Sequence, residues 1–130
     1  MTVLAVKGLT YSFGKQTVLD NISFTLEKGD IAGLIGNNGA GKTTLMKLVS
    51  GILTGSKDII DLKTKSVGAL IEAPALYPNM TVEANLKFYC KLYGKDYALI
   101  DRYKDELEVA AYLKRKASKL SLGMKQRVGL

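Results

Sequence analysis

An α/β fold is predicted for this chain by three observations. The apolar run Ile31-Ala32-Gly33-Leu34-Ile35 leads straight into Gly36-Asn37-Asn38-Gly39-Ala40-Gly41-Lys42-Thr43-Thr44, and the helix-like Leu45-Met46-Lys47-Leu48-Val49 comes next. Strand-like segments precede this stretch, and helix-like segments dominate the second half of the chain. Strand, glycine-rich loop and helix in that order is the setting in which G-x-x-x-x-G-K-[ST] forms a phosphate-binding P-loop.

In chain order, Val3 to Thr10 and Thr17 to Leu26 are expected as strands, the second interrupted by Asp20-Asn21. Glu27-Lys28-Gly29-Asp30 is a turn, and Asp30 to Ile35 is apolar enough for a strand covered on both faces. The helix after Lys42 is expected to end at Gly51, and Ile59 to Leu62 and Val67 to Ile71 are further strand candidates. Glu72 to Met80 is an irregular loop holding both prolines of the chain. Thr81 is placed to cap a helix from Val82 to about Tyr93, whose apolar face would be Val82, Leu86, Tyr89 and Tyr93, widened by Phe88 and Leu92. A second helix is expected from about Tyr97 through Val109. A last one starts at Leu122 after a break at Ser118 to Ser121.

The chemistry of the P-loop stems from its residue types. Glycines let successive backbone N–H groups converge on one anion, and the positive end of the next helix faces the same point. Lys42 is expected to reach the β- and γ-phosphates of a nucleoside triphosphate, and the Thr43 hydroxyl to ligate Mg²⁺.

Composition narrows the alternatives. With 47% hydrophobic and 24% charged residues the 130-residue chain is ordinary globular sequence, one domain at most. No apolar run approaches the ~18 residues needed to span a bilayer, and the N-terminus has no signal pattern. Cys90 is the single cysteine, so no intrachain disulfide forms, which fits a reducing cytoplasmic compartment. The chain has no histidine to activate that thiol, and Cys90 reads as a core residue. The net charge of +7, densest at Lys114, Arg115, Lys116 and Lys119, is compatible with nucleic acid or an anionic membrane face; a solvated face near a bound polyanion explains it equally, and nucleic acid is not expected as a partner.

Taken together, these pieces resemble the ATP-binding subunits of ABC transporters, closest to the bacitracin and lantibiotic-immunity exporters. The resemblance covers nearly the whole chain. It rests on the P-loop, on Tyr11-Ser12-Phe13-Gly14 placed 25 residues before Gly36, on Ile71-Glu72-Ala73-Pro74 through Thr81, and on Leu120-Ser121-Leu122-Gly123-Met124-Lys125-Gln126-Arg127, which is similar to the family signature. It implies that Tyr11 stacks on adenine, that Glu72 contacts Mg²⁺ and the attacking water, and that Ser121 and Gly123 meet the γ-phosphate of ATP held by a second subunit in a head-to-tail dimer. The implied fold is a P-loop NTPase of the ABC type, with N-terminal antiparallel strands and P-loop core over about 1–71, and a loop plus helical subdomain over about 72–130. Glu72 stands where the wider family has glutamine, and Leu122 and Met124 stand for a glycine and a glutamine of the signature. Lys42 to Glu72 spans 30 residues, shorter than the family pattern.

The resemblance also implies a second acidic motif, an apolar run ending Asp-Glu, and a later histidine. Neither occurs in these residues, so the P-loop strand is expected to lack its parallel neighbours. The expectation is an N-terminal part of an ATP-binding subunit that, when whole, couples ATP binding and hydrolysis to export of a peptide antibiotic or similar compound. Its partners would be a separate membrane permease subunit and a second ATP-binding subunit, on the cytoplasmic face of the membrane. For the 130 residues themselves, weak Mg-ATP binding at best and no useful turnover are expected. Two other readings stay open: a hydrolysis-incompetent module regulating the permease or an intact ATPase subunit, and a different P-loop kinase or GTPase. The latter leaves Ser121 to Arg127 unexplained and lacks an Asn-Lys-x-Asp base-reading motif.

Overall fold

The computed structural model describes residues 1–55, 58–64 and 66–130. They form two compact units, Met1–Ile71 and Glu72–Leu130, each with its own core.

In the first unit, β1 (Thr2–Phe13) and β2 (Gln16–Glu27) make an antiparallel hairpin, and β3 (Ile60–Leu62) pairs antiparallel with the other edge of β1, giving the order β2-β1-β3. The Asp20-Asn21 interruption has a structural meaning. The register shifts between Val6 and Leu9 on β1 and again between Leu9 and Tyr11, where Leu9 faces Ile22 and Tyr11 faces Leu19. Gly8 and Asn21 both sit at positive φ at these irregularities, and the Gly8 N–H donates to Ser23 Oγ at 2.7 Å. Because side chains alternate with period two, such bulges change which face a residue takes. They keep Leu4, Val6, Leu9 and Leu19 buried together although the spacing switches from even to odd positions.

Helix α1 (Lys42–Val49) adds Leu45 and Leu48 to this core. It ends as expected at Gly51, whose N–H donates to the Leu48 carbonyl at 3.1 Å.

Two strand expectations need correction. Asp30 to Ile35 forms no regular element and pairs with no strand among the described residues, and neither does Val67 to Ile71. Ala32 and Leu34 line an apolar cavity of about 560 Å³ shared with Phe24, Leu45 and Leu70, whereas Ile31 and Ile35 lie fully in solvent. A run apolar on both sides is a strand only where both faces and both edges are occupied. Here Ile31 and Ile35 face solvent and even Leu34, on the cavity side, stays 49% exposed.

In the second unit, α2 (Val82–Leu92) starts where Thr81 predicts: its hydroxyl accepts from the Ala84 N–H at 3.1 Å. The first two helical N–H groups are also used, by the carbonyls of Arg115 and Leu113, each at 2.9 Å. The apolar face is corrected. Val82 is buried and Leu86 packs beside it, but Phe88, Leu92 and Tyr93 are exposed, and the fully buried partner of Val82 is Asn85. The Leu113–Ser118 segment crosses the N-terminal end of α2, bonding through its backbone to residues 78–83.

The single helix expected from Tyr97 through Val109 is instead α3 (Ala98–Tyr103), a turn, and a 3-10 segment at Ala110–Tyr112. Glu108 takes φ 56° in the turn, and the Val109 N–H reaches back to the Lys104 carbonyl at 2.8 Å. Asp105, Glu106 and Glu108 bring negative charge where a helix C-terminus is already negative. Breaking there lets Val109 and Tyr112 enter the core with Val82, Leu120 and Val128. A second 3-10 turn (Ala117–Lys119) leads to α4 (Leu122–Gly129), capped by Ser121, whose Oγ accepts from the Met124 N–H at 3.3 Å.

Tyr112 carries a buried hydroxyl with no partner among the described residues. An unpaired buried hydroxyl costs free energy, so Tyr112→Phe is expected to leave stability unchanged or raise it by up to about 1 kcal/mol. Urea midpoints would show this, and a loss of more than about 1 kcal/mol would mean that the hydroxyl is bonded after all.

Candidate functional site

The P-loop lies in the first unit as an exposed turn over residues 36–40 that closes onto buried Gly41, the residue preceding α1. Gly39 and Gly41 hold φ of 84° and 87°, in the left-handed region that side chains resist. Between them the Ala40 N–H donates to the Asn37 carbonyl at 3.1 Å, which tightens the loop. Gly41 sits on β2: a Cβ there would lie 2.7 Å from Leu19 Cδ2 and 2.8 Å from the Val18 carbonyl oxygen. The hairpin is therefore the floor that positions the loop.

The start of α1 differs from the starts of α2 and α4. No side chain caps it and no acidic residue sits in its first turn. Its leading N–H groups and the positive end of its dipole are left for an anion. The Lys42 ammonium donates to the carbonyls of Gly36 and of Asn37, the latter at 2.8 Å, which holds the cation across the loop mouth. Thr43 is exposed beside it and Thr44 half-buried. These residues fit a polyphosphate: converging backbone donors, an ammonium on a flexible stem, and a hydroxyl able to ligate a hard cation.

Tyr11 is half-buried on β1, opposite Leu19. Its ring meets Phe13 edge-on at 5.2 Å and packs on the first core. Because Leu19 touches the Gly41 position, one strand pair carries both Tyr11 and the support of the loop.

The remaining predicted site residues belong to the second unit. Glu72 opens it at φ 68°, a conformation costly for a residue with a side chain. Ser121 spends its hydroxyl as the α4 cap, Gly123 has open space around its α-carbon, and Leu122 is exposed. Met124 packs against the second core, which accounts for an apolar residue at that position.

Sequence reasoning missed the role of Asn85. Its Oδ1 accepts from the Tyr77 N–H at 2.7 Å, and its Nδ2 donates to the carbonyls of Tyr77 at 3.1 Å and Thr81 at 2.9 Å. It fastens the loop that begins at Glu72. The available signal was a polar residue one turn after Val82 on a face that otherwise reads as apolar.

The sequence profile of the ABC transporter family matches residues 19–130. The chain belongs to the ABC transporter family. Among curated relatives, the lantibiotic transport ATP-binding protein SrtF of Streptococcus pyogenes is 32% identical over 98% of this chain and 59% of its own length. The bacitracin transport ATP-binding protein BcrA of Bacillus licheniformis is 32% identical over 99% of the chain and 46% of its own length. A solved ATP-binding subunit of an ABC transporter superposes with a TM-score of 0.74 at 30% identity, over 98% of this chain and 60% of that one. The chain thus spans about half to three-fifths of the proteins it resembles.

Proposed function

We propose that this ABC chain binds Mg-ATP through its P-loop and serves, within a whole transporter, to couple ATP binding and hydrolysis to export of a peptide antibiotic or similar compound. The observation that carries the reading is Lys42, held at the mouth of a loop whose helix start no side chain caps. The names of SrtF and BcrA, lantibiotic and bacitracin transport proteins, support the cargo class. Residues Gly36 to Thr44 would hold the phosphates, Thr43 and Glu72 would hold Mg²⁺, and Tyr11 would stack on the base. Ser121 and Gly123 would address the ATP of a second ATP-binding subunit. The loop from Glu72 to Thr81 and α2 would dock on a separate permease subunit, on the cytoplasmic face of the membrane. The ion supplies charge neutralisation of the phosphates when bound.

The test is calorimetric titration of the chain with Mg-ATP. Lys42→Ala is expected to weaken binding about tenfold or more, because an ammonium paired with phosphate is a charge-assisted contact. Unchanged affinity would remove the P-loop from the reading. Equal competition by Mg-GTP would return the choice to other P-loop classes.

A further inference from the structure

Of the asparagines in the chain, Asn21, Asn37, Asn38, Asn79 and Asn85, only Asn38 is followed by glycine. Asn38 and Gly39 are the two central residues of the exposed turn that the Ala40 N–H closes on the Asn37 carbonyl at 3.1 Å. That bond uses neither the Gly39 N–H nor the Asn38 carboxamide, and both are without a hydrogen-bond partner among the described residues. Gly39 stands at φ 84°, and nothing lies within 4 Å of the place a side chain would take there. From Ile31 to Thr44 the chain holds Lys42 and no acidic residue.

We propose that Asn38 is a site of spontaneous deamidation, and that the reaction turns an anion-binding loop into one that repels anions. The Gly39 nitrogen, having given its proton to hydroxide, attacks Asn38 Cγ. A C–N bond forms, the carboxamide nitrogen leaves as ammonia, and a five-membered succinimide remains. Water then adds to one of the two ring carbonyls and breaks its bond to nitrogen. Where the Gly39 nitrogen stays on Cγ the product is isoaspartate, and otherwise it is aspartate; no oxidant or reductant takes part. Glycine is the following residue that permits the attack, because it has no side chain to crowd the nitrogen and leaves the backbone free to turn. Asn37 and Asn79 are exposed as well, but Asn38 and Met80 follow them. Asn85 is buried with its amide fully engaged. Either product carries a carboxylate where the loop had a neutral amide, and like charge there opposes a polyphosphate. Phosphates seated on the loop would engage its N–H groups and hold the turn, so bound nucleotide would slow the reaction. That protection, and the loss of affinity, rest on the Mg-ATP reading of the loop; the chemistry at Asn38 does not.

The test is incubation of the full chain without nucleotide at mildly alkaline pH, with fragment-ion mass mapping of every asparagine over time. Asn38 is expected to convert first, to isoaspartate and aspartate, about tenfold or more faster than Asn37 and Asn79. Its rate should rise with pH, since the attacking nitrogen must lose its proton. No conversion at Asn38, or conversion no faster than at Asn79, overturns the proposal. Calorimetric titration of the fresh chain and of N38D measures the consequence: N38D should bind Mg-ATP about tenfold more weakly. Saturating Mg-ATP should slow conversion in the parent chain. Equal affinity of the fresh chain and N38D for Mg-ATP overturns the loss of anion binding. A fresh chain that binds no Mg-ATP sinks the nucleotide reading instead, and the mass map still decides whether Asn38 deamidates.

Discussion

Gly41→Ala is expected to destabilise the first unit by about 3–4 kcal/mol and to abolish measurable Mg-ATP binding. Two costs add at this position. Holding alanine at φ 87° opposes the ordinary preference of L-residues, by about 1–2 kcal/mol. The new Cβ would also lie 2.8 Å from the Val18 carbonyl oxygen and 2.7 Å from Leu19 Cδ2, inside van der Waals contact. Leu19 is a buried core residue and the Val18 oxygen belongs to β2, so neither yields without moving the hairpin. Gly39→Ala separates the two costs. Its φ is 84°, but nothing lies within 4 Å of the added carbon, so only the conformational term of about 1 kcal/mol remains. Denaturant midpoints for the pair decide the matter: equal losses would mean that the hairpin does not support the loop.

The second large effect is expected at Asn85. Asn85→Leu keeps the volume but removes all its hydrogen bonds to Tyr77 and Thr81, leaving the Tyr77 N–H without its acceptor. A loss of about 3 kcal/mol in the second unit is expected from that set of buried bonds. Amide exchange at Tyr77 should accelerate with it. If the Asn85→Leu variant were as stable as the parent, with Tyr77 still protected, the loop would be holding itself.

Asn85→Asp refines the point. The carboxylate still accepts from Tyr77 but turns its second oxygen toward the carbonyls of Tyr77 and Thr81. Burial and those oxygens disfavour the charged form, so the folded-state pKa rises above the unfolded value. A protonated carboxyl donates where the amide did. Its stability, relative to the parent, is therefore greatest below the unfolded carboxyl pKa of about 4 and falls as pH rises through the folded pKa. A pH-independent difference in melting temperature would contradict this.

The exposed groups add little to either unit. Glu83 and Lys87 pair at 2.6 Å across one turn of α2, and their mutual hydrogen bond lowers the carboxyl pKa and raises that of the ammonium. Both side chains stay in water, where such pairs contribute little.

What the sequence determined by itself was local. The P-loop, the caps at Thr81 and Ser121, the stop at Gly51 and the two long strands were all legible, because each depends on residues a few positions apart: a hydroxyl and the N–H three residues on, a glycine at positive φ, an alternation of apolar side chains. Partners distant along the chain decided the rest. The bulges at Gly8 and Asn21 exist because two strands must present one apolar face. The Asp30 to Ile35 run has strand composition, yet a strand is a relation between segments, and no described segment pairs with it. The helix expected beyond Tyr103 broke because Val109 and Tyr112 are buried in a core that local periodicity does not encode. Asn85 is buried because the Tyr77 and Thr81 backbone groups converge on it, and buried polar groups must be paired, a role the apolar pattern of the helix does not encode.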